Sequence, residues 1–166
     1  MAAPFVLGSV TVPLHAGSPN VEYAQVGGYT DVRLGQGKLV RERHFSKWAI
    51  TISGSGWMAT GLSVLNWDAE HELLSPKPMR VDTETTEVTI ITDARPDVPV
   101  AAHALVGRDW IPTPVVMDGR DATITPVVGA LKYSVAWYPV FTVLCIPPGE
   151  NNADGAVSWQ IVANEV

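Results

Sequence analysis

A single cysteine in 166 residues, Cys145, excludes an intrachain disulfide and any zinc site built on several thiolates. Charge is scarce too. Asp, Glu, Lys and Arg make up 17% of the chain, below the roughly 25% of an average soluble domain, while apolar residues make up 46%. That balance excludes a disordered chain, which needs high charge and few apolar groups. It also leaves little charged surface to keep a monomer in solution, so part of the surface is expected to be covered by partners. Lys and Arg form no run, and the net charge is −6. Nucleic acid is therefore not an expected partner, because affinity for a phosphate backbone rests on Lys and Arg displacing counterions. No stretch reaches the roughly 18 uninterrupted apolar residues of a membrane span. The start, Met1-Ala2-Ala3-Pro4-Phe5, lacks the basic segment and apolar run of a secretory signal. The chain is expected to be made in a reducing cytoplasm.

Long stretches free of Gly and Pro are also few, since 14 Gly and 13 Pro are spread along the chain. Helices tolerate neither well. The intervals between them are rich in Val, Ile, Thr, Trp and Tyr, which fit a pleated surface. Short runs with turn residues about every ten positions predict an all-β fold, sandwich or barrel-like, with at most one or two short helical segments. The length suits a single β-rich domain, 1–166, with 76–100 as the place where a subdivision would fall. Expected strands are 6–14, 39–44, 48–53, 79–82, 87–92, 98–106, 111–117, 122–128 and 156–163. The apolar run 131–146, broken by Pro139, supplies two strands or one bent one. In Trp48-Ala49-Ile50-Thr51-Ile52-Ser53, period-2 alternation puts Trp48, Ile50 and Ile52 on one face. Residues 62–74 contain no Gly or Pro, and Leu62, Leu65, Ala69 and Leu73 follow helical spacing, which predicts one or two helical turns there.

A ten-residue stretch beginning Gly107-Arg108-Asp109 recurs from Gly119-Arg120-Asp121, with seven of ten positions matching. Two copies are too few for a solenoid. Asp118-Gly119 is a strong hairpin signal. A hairpin of 111–117 with 122–128, turning at Asp118-Gly119, is expected, with a duplication that acquired a function as the rival reading.

Residues that could carry chemistry are present but not patterned for it. His15, His44, His71 and His103 lie far apart, and only His71 has acidic neighbours, Asp68, Glu70 and Glu72, read as a solvated helix face. No metal or cofactor is expected. The carboxylates of 82–87 and 150–154 lie among Thr, Asn and Gly, the composition of exposed loops. Ser53-Gly54-Ser55-Gly56-Trp57 has neither the order of a nucleophile elbow nor the Lys of a phosphate loop. Its glycines are better explained by a bend or by close backbone approach. Six tryptophans invite a sugar-stacking reading, but Trp48 and Trp137 sit in apolar runs and read as core. Trp57, Trp67 and Trp110 flank turns, where exposure or a protein interface is expected.

The segment Trp48-Ala49-Ile50-Thr51-Ile52-Ser53-Gly54-Ser55-Gly56-Trp57, followed by Gly61-Leu62 and Leu65-Asn66-Trp67-Asp68, resembles small virion proteins from the tail-tip region of long-tailed bacteriophages, including transposable phages of Pseudomonas. The resemblance covers 20–35 residues and carries no catalytic residue. It implies a non-enzymatic structural subunit of the tail tip or baseplate, a homo-oligomer in a symmetric ring, in contact with tube, hub or tape-measure proteins. It also implies synthesis in the host bacterial cytoplasm and residence in the virion tail. A head–tail connector or a capsid decoration protein are other virion positions it leaves open. A carbohydrate-binding β-sandwich module is the rival from another class. Gly54, Gly56 and Gly61 permit close backbone approach, and Trp57 and Trp67 offer large rigid apolar surface. These five are the expected subunit contact, with burial in the chain's own core as the competing explanation.

Overall fold

A computed structural model describes residues 3–153 and 155–166. The chain is all-β: 59% strand and 4% helix, in several antiparallel sheets of sandwich-like type, with no helix of seven or more residues among the described residues. In chain order the strands are β1 (Val6–Leu7), β2 (Val10–Thr11), β3 (Asn20–Val26), β4 (Tyr29–Arg33), β5 (Leu39–Arg43), β6 (Lys47–Gly56), β7 (His71–Leu74) and β8 (Met79–Thr83). They continue with β9 (Glu87–Thr89), β10 (Ala101–Val106), β11 (Asp109–Thr113), β12 (Val115–Asp118), β13 (Asp121–Ile124), β14 (Ala130–Trp137), β15 (Val140–Ala153) and β16 (Ala156–Glu165). They group into two compact units. One holds the segment ending at Val12 with Glu72–Phe141, and the other holds Pro13–His71 with Thr142–Val166. The interval 76–100 lies wholly within the first.

In the first unit, β11, β10, β14 and β8 form one antiparallel sheet and β12, β13 and β9 another, while β1 pairs with β2 and with β7. Alternation builds its core: Tyr133, Val135 and Trp137 turn inward from β14, Ala102 and Ala104 from β10, Ala122 and Ile124 from β13. Trp137 is fully enclosed, and its indole Nε1 donates to Thr92 Oγ1 at 2.8 Å, so burial leaves no orphaned donor. The apolar run around Pro139 divides into two strands, β14 and β15.

The sequence repeat is a repeated turn. Val106 pairs with Asp109 and Asp118 pairs with Asp121, so each Gly-Arg dipeptide is a two-residue hairpin loop. Gly107 and Gly119 open these loops at φ +64° and +59°, a left-handed conformation that costs other residues roughly 1–2 kcal/mol. The expected hairpin therefore forms between 115–118 and 121–124, but its loop is Gly119-Arg120, one residue later than Asp118-Gly119. Residues 111–113 belong to a different hairpin, paired with β10. A Cβ on Gly119 would meet open space, so only backbone strain opposes a side chain there. Gly119→Val is expected to cost about 1–2 kcal/mol in urea unfolding; an unchanged midpoint would contradict the turn geometry.

In the second unit, β15, β16, β6 and β3 lie side by side in that order, all antiparallel. Ile50 and Ile52 of β6 are fully buried, with Ile52 flanked in register by Ile161 and Val21, while Trp48 is only half-buried, edge-on to Tyr23 at 6.3 Å. The ladder of β15 with β16 shifts register between Ile146 and Gly149. Pro147 and Pro148 occupy the gap because neither has an N–H to give to a ladder. Residues 150–153, read as loop from composition, continue the strand.

The stretch 62–74 is not a helix beyond one short turn. Only Leu62–Val64 forms a 3-10 turn, and His71–Leu74 is strand β7. Asn66 Oδ1 accepts from the Asp68 N–H at 3.2 Å, and Asn66 O accepts from Ala69 N–H and from His71 Nε2. These local bonds draw the backbone away from a helix. Leu73, which fitted helical spacing, is buried through pairing with Leu7.

Candidate functional site

The segment 53–68 leaves β6 at Gly56, passes Trp57, and reaches Trp67 through the short turn at Leu62. Two of its glycines are required by neighbours within the chain. A Cβ on Gly54 would lie 2.5 Å from the Trp159 ring, and one on Gly56 would lie 2.2 Å from His15 O. Trp159 is buried and its Nε1 donates to Ala16 O at 2.7 Å. The close approach expected of Gly54 and Gly56 is thus made to Trp159 and to the 15–17 backbone. Gly61 differs: its φ is +76° and a Cβ would meet nothing within 4 Å.

The two aromatic residues are the outward part. Trp57 is 65% exposed, with His15 edge-on at 5.0 Å. Trp67 is half-buried and lines an open cleft of about 490 Å³ with Gly61, Leu62, Pro147, Pro148 and Glu150. Buried Thr60 contacts two of the lining residues: its hydroxyl donates to Glu150 Oε1 at 2.6 Å, and its oxygen lies 3.5 Å from the Leu62 N–H. A second, shallow groove of about 510 Å³ is lined by Ser53, Ser55, Asn151, Ser158 and Gln160 together with Trp159, and most of its exposed surface is apolar. The five expected residues are therefore split: Gly61, Trp57 and Trp67 face outward or into the cleft, and Gly54 and Gly56 face the chain's own packing.

Elsewhere, four aspartates, Asp31, Asp82, Asp93 and Asp97, are held in ion pairs. Arginine hydrogen bonds hold Asp31, Asp93 and Asp97 below the ordinary carboxylate range, through Arg41, Arg120 and Arg95 respectively. At Asp82 desolvation opposes the shift, and hydrogen bonds from Arg80 and Ser134 outweigh it. A general acid needs the opposite, a carboxyl raised by its surroundings. Burial pushes the Cys145 thiol up to about 11, so it stays protonated and poorly nucleophilic at neutral pH. Among the described residues, no group of three or more His, Cys, Asp or Glu is placed to hold a metal ion. Trp110 lies under the Arg80 guanidinium at 4.8 Å, which covers one ring face.

No protein-family model, curated protein or solved structure matches the chain.

Sequence reasoning passed over Trp159, buried Arg95 and strand β4, although it expected a strand at 39–44, where β5 lies. Trp159 carried a signal, since it alternates with Ile161 and Ala163 in a period-2 run. Arg95 carried none, because its burial depends on carbonyls distant in sequence.

Proposed function

We propose that the chain is a non-enzymatic structural subunit of a bacteriophage virion, placed in the tail tip or baseplate and working as one copy of a symmetric homo-oligomeric ring among tube, hub or tape-measure proteins. The observation that carries the assembly part is the exposure of Trp57 next to the Trp67 cleft on one segment. Leaving such an aromatic in water forgoes roughly 2–3 kcal/mol of burial, and a subunit contact recovers it. A ring repeats each modest contact on every copy and closes it. The ion-paired carboxylates and protonated thiol support a non-catalytic role, and the phage assignment rests on the resemblance of residues 48–68.

Trp57→Ala and Trp67→Ala are expected to lower the assembled mass in sedimentation. For Trp57→Ala the melting temperature should stay near wild type, because an exposed side chain contributes less than about 0.5 kcal/mol to the fold. Unchanged mass in both variants would remove this contact from the proposal. The groove over Ser53, Asn151 and Gln160 favours a second reading, glycan binding, because hydrogen-bonding side chains lie in an open surface that is mostly apolar. A sugar-dependent shift in melting temperature or in assembled mass would select it.

A further inference from the structure

Strands β4 and β5 pair only with each other, as a two-stranded ribbon separate from the sheet of their unit. Every residue of β4 is exposed, and so is every residue of β5 except half-buried Val40. Tyr29, Val32, Leu34, Leu39 and Phe45 all present large apolar surface to water. An isolated ribbon of this kind is marginal on its own and leaves both edges unpaired. It is nevertheless held in shape: Arg41 grips Asp31 through two bonds of 2.6 and 2.7 Å and lies 4.4 Å over the Tyr29 ring. At its base, His44 N–H donates to Gly28 O at 2.8 Å.

Its charge is opposite to that of the remainder of the chain. Residues 27–46 hold four of the eleven basic residues (Arg33, Lys38, Arg41, Arg43) and two of the seventeen acidic ones (Asp31, Glu42). The ribbon is thus +2 and the remainder −8. Register puts Arg33, Arg41 and Arg43 on one face with Asp31, Tyr29 and Leu39; with Asp31 paired to Arg41, Arg33 and Arg43 leave that face both apolar and basic. The cleft beside Trp67 is its complement, with Leu62, Pro147 and Pro148 apolar, Glu150 in its lining, and Asp68 and Glu70 following Trp67 in the chain.

We infer that residues 27–46 are an assembly arm that docks on the Gly61–Trp67 cleft of a second copy of this chain. The inference rests on the homo-oligomeric reading above and names the surfaces it uses. Arm and cleft are different patches present on every copy, so the contact is head-to-tail, the type that closes into a ring when the rotation allows. Opposite charge at the two patches selects partner and orientation.

The test reverses charge on each side at exposed positions, of which Arg33 also donates to Gly37 O at 3.1 Å within the ribbon's own loop. R33E/R43E marks the arm, D68K/E70K the cleft, and a third chain carries all four changes. Sedimentation velocity reads the assembled mass across a concentration series, with circular dichroism confirming the β fold. Each double variant is expected to weaken assembly about tenfold or more, and the four-change chain to recover most of the loss, as charge pairs across interfaces do. Assembly of R33E/R43E equal to wild type overturns the arm while leaving the homo-oligomer intact. Loss in the arm variant with none in the cleft variant, or no recovery in the four-change chain, overturns the cleft as its seat. A wild-type chain monomeric at every concentration overturns both this inference and the homo-oligomeric reading beneath it.

Discussion

Arg95→Ala is expected to lower the unfolding free energy by about 2–4 kcal/mol, from two backbone carbonyls that lose their donor and the cavity left by the side chain. The Arg95 side chain has no solvent exposure. Its Nε and one terminal nitrogen donate to the two Asp97 carboxylate oxygens, each at 2.7 Å, and the other terminal nitrogen donates to Pro4 O at 2.8 Å and Ser75 O at 2.9 Å. One guanidinium thus ties the N-terminal segment, the residue after β7 and its own loop together. Alanine removes the charge, leaves those carbonyls without their donor and opens a cavity. Lysine should rescue little, because one ammonium does not reproduce a planar fork. The pH dependence follows from Asp97. Its carboxyl is held down by the hydrogen bond from Arg95, so the pair's contribution is complete above the unfolded aspartate value, about 3.9, and is lost as pH falls through the lowered folded value. That slope should vanish in the variant and be modest in wild type, because Asp97 is 46% exposed and solvent screens it. Urea unfolding at neutral and acid pH measures both effects. A loss under about 1 kcal/mol would contradict the role of this buried fork.

Trp159→Ala is the second large effect, expected at about 3–5 kcal/mol for emptying a buried tryptophan site. The indole fills the space above Gly54 and bonds to Ala16 O, linking β16, β6 and the turn before β3. The same contact predicts a coupling. Gly54→Ala in the wild-type chain puts a methyl 2.5 Å from the ring and should cost about 1–3 kcal/mol by overpacking. In the Trp159→Ala background that methyl enters vacated space, and most of its cost should disappear. The interaction term is read from a double-mutant cycle of urea midpoints. Equal costs in both backgrounds would mean that Gly54 answers to something other than Trp159. Together with Trp57→Ala, this series separates the tryptophan that builds the fold from the one offered to a neighbour.

Period-2 alternation made Ile50 and Ile52 recognisable as core, because in a strand the side-chain direction is set by the residue's own position; Trp137 was read as core from its apolar run, and Trp48, placed on the same face as the isoleucines, is only half-buried. The site was only half legible for the same reason. Trp57 stands outside any alternating run and is exposed, whereas Gly54 and Gly56 read as sites of close approach without revealing to what. The partners, Trp159 and the 15–17 backbone, lie about 100 and 40 residues away in sequence, and local pattern carries no information at that range.

What the sequence by itself determined is the all-β class, through Gly and Pro that forbid long helices and β-branched runs between them. It also marked Gly119 as a turn glycine, because tolerance of a positive φ is a property of the residue itself, while strand register decided that the loop is Gly119-Arg120. Tertiary structure decided the rest. It turned Leu73 from a helical position into a strand residue by pairing it with Leu7, and it enclosed Arg95 by supplying carbonyls from distant segments. It also left β4 and β5 with no strand partner but each other among the described residues. Strand pairing and burial are relations between residues far apart in the chain, so they exist only once the chain has closed on itself.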